Sequence, residues 1–314
     1  MFSLAELETA ARIVHGAMPP TPQYAWPLLG ERTGCEVWVK HENHTPSGAF
    51  KVRGGLVYFE RHRPSRGVIS ATRGNHGQSL AFAGRRAGIA VTIVVPHGNS
   101  VEKNAAMRAF GAELIEHGRD FDAARPEAER LAHERGLEMV PSFHRDLALG
   151  VATYALELLR AVQALHTVYV PIGMGSGICG LIRTRDLLGL RTQIVGVKSE
   201  RASSYALSFA AGRVITTESA DTFADGVATR VPDPQALEII RAGAERIVTV
   251  SEDEIANAMR AFFTDTHNIA EGAGAAPLAA LLKERETMRG RKVGLILSGG
   301  NVDLAVFRQV IAGG

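Results

Sequence analysis

"TVYVPIGMGSGICG", residues 167–180, joins a short apolar strand to a glycine-rich turn and the beginning of a helix. The β-branched and aromatic residues at its start are typical of a buried strand. Glycines at 173, 175, 177 and 180 let a ligand approach the backbone closely. The free N–H groups of the helix that follows attract an anion. The stretch therefore predicts an α/β fold with an anion-binding loop, although a plain tight turn remains an alternative for the loop alone.

Outward from this stretch, apolar runs alternate with segments of helical period, and this pattern predicts mostly parallel strands. No linker rich in Pro, Gly or Ser divides the chain, so we expect any second lobe to be an insertion. Further strands are predicted for "EVWVK" (36–40), "GVISA" (67–71), "VTIVVP" (91–96), "AELIEH" (112–117), "QIVGVK" (193–198) and "KVGLILSGG" (292–300). Helices are predicted for "SLAFAGRRAG" (79–88), "EKNAAMRAFG" (102–111), "FDAARPEAERLAHERG" (121–136) and "LALGVATYALELLRAV" (147–162).

The amino-acid composition argues against several classes of protein. The chain has 35 Lys and Arg against 33 Asp and Glu, a net charge of +2 without a basic block, so nucleic acid is not an expected partner. Cys35 and Cys179 are far apart and lack a CxxC pattern, which argues against a disulfide framework and a zinc site and fits a reducing cytoplasm. We expect neither a signal peptide nor a membrane span.

Two further strand runs break into glycine and polar residues. "ATRGNHGQS" (71–79) follows the strand "GVIS" and offers backbone and side-chain donors at a helix start, which suits a carboxylate or a ring oxygen. "LSGGN" (297–301) brings a serine hydroxyl to the edge of a sheet, where it could face a ring nitrogen. A capped helix and a simple turn are the alternative interpretations of these stretches.

The common nucleotide-binding motifs fit the glycine loop poorly. A dinucleotide fingerprint needs different glycine spacing and an acidic residue after the next strand, where this chain has Lys198. No Gly-Lys-Ser/Thr follows the loop, so a P-loop is excluded as well. A nicotinamide-dependent dehydrogenase, which is the main alternative of another class, would also leave "SGAFKVRGG" (47–55) unexplained.

Six motifs follow one another along the chain: "KHENHTPSGAFKVRGG" (40–55), "TRGNHGQS" (72–79), "VPIGMGSGICG" (170–180), "TFADGVA" (222–228), "AEGAGAA" (270–276) and "LSGGNVDL" (297–304). Taken together and in this order, they resemble the fold type II pyridoxal-phosphate enzymes of the threonine dehydratase and serine racemase group. The resemblance implies a tryptophan synthase β-like fold, with two open twisted α/β lobes and the cofactor in the cleft between them. It implies a large cofactor-binding domain from residues 1–66 and 148–314 and a small substrate-side domain from residues 67–147.

The resemblance also implies roles for particular residues. Lys51 would form the Schiff base with pyridoxal 5′-phosphate, Phe50 would pack on its ring, and Asn75 would bond its 3′-oxygen. A neutral Ser298 at the ring nitrogen would weaken the ring as an electron sink and favour elimination at Cβ. The phosphate would be held by Gly173, Met174, Gly175, Ser176 and Gly177, and the substrate carboxylate by Thr72, Arg73, Gly74 and His76. His41 and His44 are interpreted as structural.

The implied activity is dehydration and deamination of a β-hydroxy L-amino acid of the threonine or serine type to a 2-oxo acid and ammonia. Phenylserine or 3-hydroxyaspartate are alternative substrates, and an amino-acid racemase or a β-replacement enzyme is less favoured. Family members of this length are usually homodimers. The chain ends soon after "LSGGNVDL", so we expect no C-terminal regulatory domain.

Two departures from the family pattern leave questions open. Serine racemases have a serine at position 73, and an arginine is a poor general acid or base. Arg73 either binds a polar or acidic β-substituent or pairs on the surface. In members that bind a divalent cation, acidic ligands stand where this chain has Lys198 and Ser204, so no metal is predicted there. Lys198 either substitutes for the charge of the ion or is a solvated surface residue.

Overall fold

The structure is a computed structural model that describes residues 1–313. Within this part of the chain, strands and helices alternate as the sequence predicts. The strands are β1 (Gln23–Ala25), β2 (Glu36–His41), β3 (Val68–Ala71), β4 (Val91–Val95), β5 (Glu113–Glu116), β6 (Glu138–Met139), β7 (Thr167–Pro171), β8 (Gln193–Ser199), β9 (Arg246–Val250) and β10 (Lys292–Leu297).

The α-helices have the following bounds, and three short 3-10 helices cover Glu42–His44, Glu200–Ala202 and Asp225–Val227. They are α1 (Leu4–His15), α2 (Pro27–Thr33), α3 (Lys51–His62), α4 (Asn75–Ala87), α5 (Val101–Ala109), α6 (Phe121–Arg135), α7 (Arg145–Val151), α8 (Thr153–Ala161), α9 (Ser176–Leu187), α10 (Ser204–Ala211), α11 (Pro234–Gly243), α12 (Glu252–Thr266), α13 (Gly272–Lys283), α14 (Arg285–Met288) and α15 (Leu304–Ala312).

The strands form two separate sheets. The larger has the order β1-β2-β10-β7-β8-β9 and the smaller β5-β4-β3-β6. All of the pairings are parallel except that of β1 with β2. The carboxyl ends of parallel strands meet at one edge of a sheet, so the motifs that follow β3, β7 and β10 are brought to the sheet edges where ligands bind in open α/β folds.

Helices cover the sheets because their strands are apolar on both faces. Every residue of β3, β4 and β7 is buried, as expected for central parallel strands. Helix α13 is buried from Gly272 to Leu281 and packs on β7, β10 and α12. Its run of glycine and alanine lets it approach the sheet closely, and a helix that is apolar all round is expected to be buried.

The predicted α/β class, the mostly parallel strands and all of the predicted strands are confirmed. The prediction of one helix at 147–162 is wrong, because α7 and α8 meet at Ala152. Gly180 of α9 packs at this junction: a Cβ added to Gly180 would lie 3.0 Å from the Ala152 Cα. All four strands of the smaller sheet lie between Val68 and Met139. This supports the two-domain division with boundaries at 66/67 and 147/148, which stays a proposal.

Candidate active site

A cleft of about 960 Å³, counting the part that opens to solvent, lies at the carboxyl ends of β3, β7 and β10. Every residue that the sequence analysis proposed for the site lines this cleft, although the residues come from distant parts of the chain. They are Phe50, Lys51, Thr72, Arg73, Gly74, Asn75, His76, Gly173, Met174, Gly175, Ser176, Gly177 and Ser298.

Lys51 begins α3, and its amine lies at the floor of the cleft. The Nζ donates a hydrogen bond to the Oγ of Ser176 at 3.0 Å and lies 5.2 Å from the centroid of the Phe50 ring. Burial, which disfavours the ammonium form, lowers the pKa of Lys51 to about 8. A larger fraction of this amine is therefore neutral and nucleophilic at physiological pH than of an ordinary lysine.

The segment that carries Lys51 is joined directly to the segment that carries Ser298. Ala49 and Gly299 form an isolated antiparallel bridge, and the Phe50 N–H donates to the Ser298 carbonyl at 3.0 Å. Ser298 is buried at the end of β10. These backbone contacts explain how residues almost 250 positions apart reach one wall of the cleft.

The loop from Gly173 to Gly177 needs its small residues for steric reasons. A Cβ on Gly173 would lie 2.4 Å from the carbonyl oxygen of Gly226, and Gly175 has a φ of +102°. Helix α9 begins at Ser176, so the N–H groups of its first turn face the cleft. The Tyr205 hydroxyl donates to the Met174 carbonyl at 3.0 Å and holds the loop from behind.

The loop from Thr72 to His76 opens helix α4 on the other side of the cleft. The Gly74 N–H donates to the Thr72 Oγ1 at 3.2 Å, and α4 begins at Asn75. Burial, with a smaller contribution from the charge of Lys51, lowers the pKa of His76 to about 3, so its imidazole is neutral. Among the described residues, His76 Nε2 and Arg73 Nε are buried without a hydrogen-bond partner. These atoms are available to a ligand.

An ionic network at the cleft wall was not predicted from the sequence. Asn75 Nδ2 donates to Glu271 Oε1 at 2.7 Å, and Asn301 Nδ2 donates to Asn75 Oδ1 at 2.9 Å, which fixes the Asn75 amide. Lys103 Nζ donates to Asp225 Oδ2 at 2.6 Å and to Glu271 Oε2 at 3.1 Å. Burial raises the pKa of Glu271, and Lys103 opposes this shift.

Asp225 and Glu271 lie in motifs that carried the family resemblance, so their position beside glycines was an available signal. No comparable sequence signal marked Lys103, because a single lysine in the first turn of a helix is ordinarily solvated. Arg230 also lines the cleft and forms an ion pair with Asp120 at 3.5 Å. The cleft thus combines several cationic side chains with two carboxylates.

Four further residues that the sequence singled out lie away from the cleft lining, namely His41, His44, Lys198 and Ser204. His41 and His44 lie outside the cleft lining, where His41 Nε2 accepts from the Trp26 indole and His44 contacts Asn268. Lys198 is fully buried, so its interpretation as a solvated surface residue is wrong. Ser204 donates to the Thr229 carbonyl at 2.7 Å.

A nucleophilic lysine beside an anion-binding loop is the arrangement of an enzyme that holds a phosphorylated aldehyde cofactor. The comparisons with known proteins support this class of enzyme. The family described as "Pyridoxal-phosphate dependent enzyme" matches residues 14–299. The chain belongs to this family, and its cofactor is pyridoxal 5′-phosphate.

Three relatives illustrate the similarity. L-threonine ammonia-lyase of Geobacter sulfurreducens is 36% identical over 290 residues, which are 91% of this chain and 72% of that protein. L-threo-3-hydroxyaspartate ammonia-lyase of a Pseudomonas species is 32% identical over 317 residues, 100% of this chain and 99% of that protein. The structure of maize serine racemase has a TM-score of 0.91 and 26% identity, and the match covers 99% of this chain and 97% of that one. The predicted fold type II architecture is thereby confirmed.

The residues present in the cleft fit this cofactor. Gly173 and Gly175 line the cleft, and a Cβ on either would clash with the Gly226 carbonyl or the Ala236 side chain, so the loop presents main chain to the space in front of it. The Lys51 amine lies one hydrogen bond from Ser176, which begins the helix behind that space.

Among residues 1–313, no helix combines the length and hydropathy that crossing a membrane requires.

Proposed function

We propose that the substrate is a β-hydroxy L-amino acid of the threonine or serine type, which this pyridoxal-phosphate dependent ammonia-lyase converts to a 2-oxo acid and ammonia. The observation that carries the proposal is the position of the Lys51 amine, 3.0 Å from Ser176 at the head of the glycine loop. A family relative that is 36% identical, L-threonine ammonia-lyase, supports the same reaction class.

Each part of the cleft has a task in this reaction. When bound, pyridoxal phosphate supplies an electrophilic carbon and a conjugated ring that stabilises negative charge at the α-carbon. The donor loop from Thr72 to His76 would bind the substrate carboxylate, and the amide of Asn75, oriented by Glu271, would hold the ring oxygen of the cofactor. The Lys51 amine takes the α-proton. Hydroxide is a poor leaving group, so the β-hydroxyl must leave with a proton, and the Ser176 hydroxyl beside Lys51 offers a path for it.

The visible absorption spectrum of the purified protein tests this proposal. The lysine-bound cofactor absorbs in the visible range, and L-threonine, L-serine, phenylserine and 3-hydroxyaspartate are added in turn while 2-oxo acid is measured. We expect the band to change and 2-oxo acid to form with L-threonine or L-serine. Lys51→Ala is the matched control and should lack both the band and the activity. A wild-type protein that shows no band after cofactor is supplied contradicts the proposal.

One observation favours a second candidate, a β-hydroxy amino acid with an acidic β-substituent. Arg73 lies in the carboxylate-binding loop and lines the cleft, and its Nε is buried without a partner among the described residues. A guanidinium in such a position suits a second carboxylate, which it can bind with two hydrogen bonds. The similarity to L-threo-3-hydroxyaspartate ammonia-lyase over the full chain supports this candidate.

Arg73→Gln distinguishes the two substrate classes. If Arg73 binds a β-carboxylate, the ratio of kcat/KM for L-threo-3-hydroxyaspartate to that for L-threonine should fall about 10- to 100-fold, the value of a charged hydrogen bond. Arg73→Lys should retain part of the preference, because it keeps the charge and loses the fork geometry. An unchanged ratio in both variants would remove Arg73 from the substrate pocket and leave the threonine-type proposal in place.

A homodimer in the cytoplasm also remains part of the proposal, and its support is the family resemblance. Light scattering coupled to gel filtration measures the mass of the assembly. A mass near twice the 33.6 kDa of the chain agrees with the dimer, and a single-chain mass contradicts it.

A further inference from the structure

Lys198 is a buried titratable group that the reaction described above does not use. It lies near the carboxyl end of β8, and its side chain is completely inaccessible to solvent. Its Nζ donates to the carbonyl oxygen of Ile172 at 3.1 Å and to the carbonyl oxygen of Val227. The Tyr205 ring, whose centroid is 5.8 Å away, covers another side.

The amine has no anionic partner within the part of the chain that the structure describes. The hydrogen bonds to main-chain carbonyls are its polar contacts there, and no carboxylate pairs with it. Burial alone lowers the pKa of Lys198 to about 7. A lysine so placed is costly compared with an apolar residue of similar volume, so its retention calls for a compensating role.

One carbonyl belongs to the residue that leads into the glycine loop, and the other to a 3-10 helix that packs against this loop. Ile172 directly precedes Gly173, and Val227 ends the 3-10 helix Asp225–Val227. The Gly226 carbonyl packs so closely on Gly173 that a Cβ there would be 2.4 Å from it. Carbonyl oxygens that converge on one buried point are the ligands that hard inorganic cations prefer. Here the tip of a side chain from the neighbouring strand β8 occupies that point.

We infer that the Lys198 amine is a tethered replacement for an inorganic cation: it binds the Ile172 and Val227 carbonyls and holds residues 173–177 in the conformation that receives the cofactor phosphate. Lys198 is a positioning residue, since it acts through the loop. The inference rests on the proposed role of residues 173–177 in phosphate binding. It goes further by stating that cofactor binding by this chain needs no added monovalent or divalent cation.

Lys198 can bind both carbonyls whether its amine is neutral or protonated. A neutral amine has two N–H groups, enough for both carbonyls, and an ammonium has three. A phosphate dianion that arrives at the neighbouring loop favours the ammonium form, because a nearby opposite charge raises the pKa of an amine. The bound cofactor therefore strengthens the cationic character of Lys198.

The test measures the affinity of the apoprotein for pyridoxal 5′-phosphate by absorbance titration. The buffer contains tetramethylammonium chloride and a chelator, and then receives potassium, ammonium, methylammonium, magnesium or calcium chloride in turn. We expect the wild-type Kd to change less than about twofold across these salts, which is close to no change in binding free energy. Wild-type protein that fails to bind the cofactor in every salt would count against the proposed function, which separates that failure from a failure of this inference.

Two variants sharpen the test. Lys198→Ala leaves space for a small cation, so we expect its Kd to rise about 10- to 100-fold, the value of lost charged hydrogen bonds, and to recover in ammonium, methylammonium or potassium. Lys198→Met fills the space without charge and should lose affinity without recovery in any salt. Lys292→Met removes a half-buried lysine that pairs with Glu36, away from the cleft, and controls for net charge.

The recovery by small cations is the decisive result, because a lysine that only fills space would not produce it. Wild-type affinity in both Lys198 variants, or a wild-type protein that binds cofactor only with potassium or magnesium, would overturn the inference. If neither Lys198 variant folds, the salt series on the wild-type protein decides by itself: independence supports the inference and dependence overturns it.

Discussion

Among the single residues, Lys51 has the clearest chemical signature. Its amine contacts Ser176 inside the cleft, where desolvation lowers the pKa of Lys51 to about 8. Lysine must be neutral to attack the cofactor aldehyde. The rate at which apoprotein takes up pyridoxal 5′-phosphate should therefore rise with pH up to about 8 and then level off. Stopped-flow absorbance between pH 6 and 11 measures this rate.

The control for this pH profile is an ordinary amine, Nα-acetyl-lysine, whose reaction with the cofactor should continue to accelerate toward its unperturbed pKa of about 10.4. A midpoint for the apoprotein as high as that of the free amine would contradict the assigned environment of Lys51. It would indicate that the amine is solvated before the cofactor arrives.

At the level of structural elements, the glycine loop offers a contrast between two positions four residues apart. A Cβ on Gly173 would lie 2.4 Å from the Gly226 carbonyl, whereas a Cβ on Gly177 would meet only ordinary contacts with Phe50 and Val170, from 3.6 Å outward. Gly173→Ala should lower the free energy of unfolding by about 1–3 kcal/mol, the usual cost of overpacking. Gly177→Ala, inside the first turn of α9, should leave it unchanged or raise it by up to about 1 kcal/mol.

Thermal unfolding of the two apoproteins measures this contrast, and apoprotein is used so that cofactor contacts do not contribute. Equal destabilisation by both substitutions would show that the close approach of residues 173 and 226 does not limit the loop.

Helix α3 depends on an ionic network two residues after Lys51. Arg53 is fully buried and binds the carboxylates of Glu42 and Glu157, and Lys40 also pairs with Glu157. Arg53→Met would leave two carboxylates buried without their main partner, so we expect a loss of about 3–5 kcal/mol in unfolding free energy at pH 7. Arg63→Met, an exposed position at the end of α3, should change it by less than about 0.5 kcal/mol.

The same network predicts how stability depends on pH. Burial acts to raise the pKa of Glu157, but the charges and hydrogen bonds of Arg53 and Lys40 outweigh it and hold the pKa at about 2, below the ordinary 4.5. A carboxyl with a lowered pKa stabilises the fold above its unfolded pKa. This contribution should be lost as the pH falls from about 4.5 toward 2, and urea denaturation across that range should show less loss in Arg53→Met than in the wild type.

For the molecule as a whole, Lys103 connects the two lobes across the cleft. It lies on α5, beside the smaller sheet, and pairs with Asp225 and Glu271 from the part of the chain that forms the larger sheet. Lys103→Met would leave these two carboxylates close together without a cation. We expect a lower thermal unfolding midpoint at pH 8 and a smaller deficit at pH 5.5.

The sign of this pH effect follows from Glu271. Its pKa is raised by burial, and without Lys103 it rises further, so the folded variant takes up a proton that the unfolded chain does not. Proton uptake by the folded state makes its stability increase as the pH falls. Lys283→Met, which removes exposed pairs with Glu200 and Glu254, is the control and should show no such pH dependence. A deficit equal at both pH values would contradict the role of Glu271.

Much of the architecture could be predicted because its signals are local. Buried strands such as β7 carry uninterrupted apolar runs, and β3, β7 and β10 end in glycine or polar turns. The strands β1, β6 and β9 were not predicted. β1 and β6 are two or three residues long, so their apolar signal is weak, whereas the β-branched residues of β9 were a signal that the sequence offered. The break between α7 and α8 depends on α9, which packs at the junction.

The succession of strands and helices along the chain, the glycine loops and the presence of a reactive lysine in "SGAFKVRGG" were encoded locally, since backbone preferences and short motifs depend on near neighbours in the chain. The tertiary structure alone decided which side chains share an environment. It placed Lys51 beside Ser176, joined Lys103 to Glu271, and buried Lys198 between two carbonyls. The physical reason is that burial and charge pairing, which set these pKa values and contacts, depend on groups brought together from tens to hundreds of positions apart.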